Sequence, residues 1–159
     1  MDNREVVSLL SEYKIANDNE IQGFTDSEVE KCEHVLGSKL PSQYREFLLA
    51  IGHDAGLLFQ GTDILFRNVD NLLELRKEAE DLLLENEETF VLPTDAFVFS
   101  MHQGYEFNFF IISEGNDPPV YQYVEGDGPP ALVWDSFSAF LRKSINSCAQ
   151  AIKNGIIPL

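Results

Sequence analysis

The apolar residues of this chain change their spacing once, near Phe90. Before it they recur every three or four positions, as on one face of a helix. After it they alternate, as on half-buried strands. Closely spaced strands with no helix between them imply antiparallel pairing. Helices followed by a strand meander and one last helix therefore predict an α+β fold, an antiparallel sheet with helices packed on one side. The length of 159 residues suits one domain, 1–159, with a single core.

The helical half carries its own punctuation. Val6, Leu9, Leu10 and Tyr13 mark an amphipathic helix within residues 4–16, broken by Asn17-Asp18-Asn19. Thr25 and Glu28 have the spacing of a capping box and open a helix with Val29, Cys32 and Leu36 inward; Gly37 suits its left-handed stop. Leu40-Pro41-Ser42 starts the next helix, with Tyr44, Phe47, Leu48 and Ile51 inward. The two should pack as a helical hairpin. Leu57-Leu58-Phe59 and Ile64-Leu65-Phe66 read as short strands about a turn at residues 60–63. Asp70 is the expected cap of a helix reaching Glu88, with Leu72, Leu75, Ala79 and Leu82 inward.

In the second half, Phe97–Met101, Tyr105–Ile112, Val120–Val124 and Ala131–Trp134 are the expected strands, with Gln103-Gly104 as a tight turn. Asp135 or Ser136 caps the closing helix, whose stripe is Phe137, Leu141, Ile145, Cys148 and Ile152, and which Gly155 and Pro158 should end.

Charge is distributed unevenly. The chain has 27 acidic and 11 basic residues, a formal net charge of −16. Residues 78–141 contain no Lys or Arg but hold 13 of the acids. Such a chain has little to neutralise phosphates with, which argues against direct nucleic-acid binding and against an anionic membrane surface. No apolar run approaches the roughly 20 residues that span a bilayer. No apolar leader follows Met1, so the cytosol is the expected compartment. A concentrated negative field speeds the approach of a cationic partner.

Residues that could carry catalysis are scarce. Cys32 and Cys148 fall on apolar stripes and read as buried thiols. His34 is two residues from Cys32 and points elsewhere on a helix. His53 and His102 are isolated, and no zinc spacing is present. Glu125-Gly126-Asp127-Gly128 lacks the alternating ligands and closing Glu of a calcium loop. Phosphate-binding and nucleophile-elbow motifs are missing. The expectation is no enzyme, no metal and no cofactor.

The order of motifs resembles the SUKH superfamily, the Smi/Knr-type domain. The match begins with the acidic helix from Thr25, continues through Leu36-Gly37, and is most specific at Leu40-Pro41-x-x-Tyr44-x-x-Phe47-Leu48. The strand Phe97–Met101, the turn at Gly104, the strand through Phe109 and the strand at Val120-Tyr121 are similar to its sheet, and Ser136-Phe137-x-x-Phe140-Leu141 to its last helix; the resemblance implies that Tyr44, Phe47, Leu48 and Trp134 hold the fold. Residues 21–145 carry the likeness. Where the family often has Asn-Gly-Gly, this chain has Gly52-His53-Asp54-Ala55-Gly56.

The resemblance implies a binding module. Bacterial members resemble immunity proteins that neutralise a cognate toxin, frequently a nuclease, while eukaryotic relatives regulate as interaction domains. An acidic inhibitor suits a basic toxin. The expected partner-binding residues are Glu85, Glu87, Glu88, Glu114, Asp117, Glu125 and Asp127, with Tyr121 or Tyr123 as an anchor. A regulatory or scaffolding domain with no toxin partner is the alternative. Oligomeric state is not legible.

Overall fold

A computed structural model describes residues 1–157. Its first helix, α1 (Asn3–Glu12), is capped by the Asp2 side chain, which accepts from the Glu5 amide at 2.9 Å, and it buries Val6 and Leu10. It stops earlier than the expected residue 16. A two-residue strand, β1 (Ile21–Gln22), follows and pairs antiparallel with β2 (Asp54–Ala55). Between them lie α2 (Asp26–Leu36) and α3 (Ser42–Ile51).

The α2 start is the expected capping box: Thr25 Oγ1 accepts from the Glu28 amide at 3.2 Å, and Glu28 accepts from the Thr25 amide at 2.8 Å. Gly37 ends the helix at φ +68°, a left-handed geometry that glycine adopts without a Cβ penalty. The α2–α3 corner is held by Glu33. This carboxylate is buried and accepts from the Leu40 amide at 3.1 Å and the Lys39 ammonium at 2.7 Å, with Arg45 Nε 3.1 Å away. Burial alone would raise its pKa; Lys39, the Leu40 amide and Arg45 outweigh that and hold it below the ordinary carboxylate range.

Residues 57–59 and 64–66 do not form the expected strands. Phe59 (φ +64°) and Gly61 (φ +80°) turn the backbone out of an extended path. Leu58, Ile64 and Phe66 are instead buried one by one from a coil. The following helix, α4 (Val69–Glu85), is capped by Asn68, which accepts from the Asn71 amide at 2.9 Å. Asp70, the expected cap, sits in the first turn and pairs with Lys31 at 3.2 Å. The helix ends at Glu85, short of Glu88, and its inward stripe is Leu72, Leu75, Ala79 and Leu82 together with Leu83.

The main sheet has the order β3 (Ala96–His102), β4 (Glu106–Ile111), β5 (Val120–Val124), β6 (Ala131–Trp134), all antiparallel. Gln103 (φ +48°) and Gly104 (φ +75°) make the tight β3–β4 turn. Ser136 caps α5 (Phe137–Lys153) by accepting from the Ala139 amide at 3.0 Å. Pro158 lies outside the described residues.

Paired residues share a sheet face. Phe97 pairs with Phe110, and this face meets α3 and α5. Tyr44 is the hub: its ring lies 5.2 Å from Phe97, 5.2 Å from Phe110 and 5.3 Å from Phe137. Trp134 packs edge-on to Phe140 at 5.0 Å. Leu40, Pro41, Phe47, Leu48, Phe137, Phe140 and Leu141 are also buried, so the motif is mostly core. The fold is α+β, an antiparallel sheet covered by helices.

Candidate partner-binding surface

The strand register separates the nine expected contact residues. Glu106 pairs with Val124, so the β3–β4 turn and the β5–β6 turn lie at one end of the sheet, while the connection 112–119 lies at the other. The Glu125 amide donates to Tyr105 O at 2.9 Å and ties the two turns together. Glu125 and Asp127 therefore belong to the turn end. Glu85 belongs there too, lining a shallow open depression with Glu78, Asp81, Leu82, Met101 and Gly104. Glu114 and Asp117 stand at the opposite end.

Several of the nine already have bonding partners within the chain. Asp117 accepts from the Ser138 amide at 2.8 Å and from the Ser138 hydroxyl, so it caps the first turn of α5 and complements the helix dipole. The Tyr121 hydroxyl donates to Glu114 at 3.0 Å. The Tyr123 hydroxyl donates to Glu88, also at 3.0 Å. Tyr123 is fully buried, its ring 5.2 Å from Phe107, and offers a partner no surface. Burial, then the Glu88 bond and charge, push its hydroxyl up to about 12. Tyr121 is half-buried and stacks on Phe109 at 5.3 Å. Its hydroxyl is raised by burial and by Glu114.

Glu85, Glu87, Glu125 and Asp127 are exposed, and no side-chain hydrogen bond or ion pair holds them among the described residues. Glu87 occupies the left-handed region, φ +55°, at the stop of α4. The Glu88 amide then donates to Leu83 O at 3.0 Å. Asp81, by contrast, is paired with Lys77 at 2.8 Å. The crowding of negative charge near this end is visible at Glu78. Partial burial and the carboxylates of Asp63 and Glu74 hold it above the ordinary range.

A polar ladder escaped the sequence reading. The Asn108 amide donates to Ser100 Oγ at 2.8 Å, and the Gln122 amide donates to Asn108 Oδ1 at 3.1 Å and to Glu106 at 3.2 Å. Three polar side chains at the same strand level would have been the signal, but only the register brings them together.

The reactive side chains are engaged or inert. Burial, then the Glu33 carboxylate, push the Cys32 thiol up to about 12, so it stays protonated at neutral pH. Burial also raises Cys148. His53 Nδ1 faces the Phe66 carbonyl at 2.6 Å and Nε2 faces Glu28 at 3.1 Å. His102 Nδ1 is 2.8 Å from the Thr62 hydroxyl. No helix among the described residues is long and apolar enough to cross a membrane.

A family model described as SMI1-KNR4 cell-wall matches residues 26–141. That span starts at the first residue of α2 and ends in the first turns of α5, taking in the whole main sheet. No curated protein matches the chain.

Proposed function

Because the chain belongs to the SMI1-KNR4 family, we propose that it is a non-catalytic binding protein of the cytosol, an immunity protein that captures and neutralises a basic toxin domain. The observation that carries this reading is the turn end of the sheet. Glu85, Glu125 and Asp127 stand there exposed, with Glu87 exposed at the stop of α4, within a stretch that has no Lys or Arg from residue 78 to 141. Charges with no structural bond to make cost the fold self-repulsion and return steering of a cationic partner.

Co-expression with the product of the adjacent gene tests the reading. Protection from that product's toxicity is expected, with a complex at low salt whose association slows about tenfold or more as salt rises. No protection and no complex would falsify the immunity reading.

The cell-wall description of the matching family favours a second reading, a regulatory interaction domain with no toxin. That reading expects a stable complex with a non-toxic protein and no rescue in any toxin assay.

A further inference from the structure

The two edges of the main sheet are treated differently. On β3, Asp63 bridges Met101 through two backbone hydrogen bonds of 2.8 and 2.9 Å and blunts the edge. On β6, Ala131, Leu132 and Trp134 pair with β5, and no hydrogen bond from 131–134 leads elsewhere among the described residues. Edge strands are commonly defended by charge. The sequence of β6, Ala131-Leu132-Val133-Trp134, has none, and Leu132 and Val133 are 51% and 45% exposed. The register slips at Val133, which adds local twist but leaves the edge open.

Leu132 stands opposite Tyr121, whose ring rests on Phe109. Leu132 and the half-buried Tyr121 form a small apolar shelf at this edge, backed by the buried Phe109. Exposed carboxylates bracket the strand, Glu125 and Asp127 before it and Asp135 after it, with Glu114 against Tyr121.

We propose that β6 accepts a fifth strand from a partner protein, an extended segment in which apolar and basic side chains alternate. Main-chain hydrogen bonds along the edge supply affinity, the apolar side chains cover the Leu132–Tyr121 shelf, and Lys or Arg meets the bracketing carboxylates. A second copy of this chain is the poorer occupant, because it would bring the same acids face to face at −16 per chain. The proposal rests on the reading of this chain as a binding module, whatever the partner does.

A short peptide alternating Val and Lys is the probe, added to the isotope-labelled full chain at low salt and followed by NMR. Expected are saturable shifts concentrated in β5 and β6. Binding should weaken about tenfold when Leu132→Lys places a like charge on the exposed edge. A Lys–Ser peptide of equal charge should bind at least as weakly as that variant does. Three results would overturn the proposal: shifts scattered over the acids of α4, equal binding of the Lys–Ser peptide, or indifference to Leu132→Lys. A dimer in sedimentation that Leu132→Lys dissolves would also overturn it and give the edge to a second copy. The measurement uses no toxin, so it stands or falls separately from the rescue assay.

Discussion

The Tyr123 hydroxyl donates to Glu88 at 3.0 Å and fastens the segment leaving α4 to the buried sheet face opposite α3 and α5, across 35 residues of sequence. Tyr123→Phe should therefore cost stability while leaving a partner's surface unchanged. The expected loss is about 1 kcal/mol, since the released Glu88 can hydrate. Urea unfolding measures it. The Tyr123 hydroxyl, pushed up to about 12, also favours the folded state only while neutral. Its contribution is full below the unfolded phenol value near 10 and is lost as pH rises toward 12. An absorbance titration should show Tyr123 ionising late, with Tyr44, which burial also raises.

Glu28 governs the acid side. The Thr25 amide, opposed by burial and helped by His53, lowers its pKa below 4.5. A depressed carboxylate stabilises above its unfolded value and ceases to do so as pH falls through the folded one. Glu28→Gln should flatten the loss of stability below pH 4.5. An acid limb as steep as that of the wild type would remove Glu28 from the account.

Glu33 separates hydrogen bonding from charge. Glu33→Ala leaves the buried Leu40 amide without an acceptor and should cost about 2–3 kcal/mol. Glu33→Gln keeps an acceptor and should cost clearly less. Lys39, at 78% exposure, contributes little to the difference. Equal losses in the two variants, read from denaturation midpoints, would assign the effect to the ion pairs.

Tyr44, the hub of the core, has a hydroxyl with no hydrogen-bond partner among the described residues. A buried orphan costs stability, so Tyr44→Phe should be neutral or stabilising by about 1 kcal/mol. Tyr44→Ala, which opens a cavity among Phe97, Phe110 and Phe137, should cost about 3–5 kcal/mol. Thermal unfolding distinguishes the two. A destabilised Phe variant would mean that the hydroxyl is satisfied in solution.

Glu87 holds a left-handed backbone, φ +55°, that costs an L-residue about 1 kcal/mol relative to glycine. Glu87→Gly should raise the melting temperature and, on the binding reading, weaken the partner complex at low salt. Unchanged association kinetics would remove Glu87 from the contact surface while leaving the stability gain to be measured.

The legible parts of this molecule are those fixed by neighbours in sequence. The Thr25–Glu28 box, the Gly37 stop, the Gln103-Gly104 turn and the four sheet strands follow from local rules, and the structure has them. What escaped was set by distant backbone. The β1–β2 pair forms because Gly23 lets the chain press against α3, where an added Cβ would lie 1.8 Å from Leu49 O. Residues 57–66 look like strands by their apolar runs, yet their carbonyls and amides are spent on turns and on Ile15 and Met101. On the surface, composition told where the acids lie in sequence but not which of them tyrosines and serines had already engaged. That needed the register, which sends Glu114 and Asp117 to one end and Glu125 and Asp127 to the other.

Among the described residues the exposed carboxylates at the turn end have no side-chain bonding partner, whereas the Leu40–Leu48 motif residues are interior. Inheritance can act on the two separately. Substitutions at Glu85, Glu125 or Asp127 leave every side-chain hydrogen bond among the described residues in place, so on the binding reading this surface can change in single steps without cost to the fold.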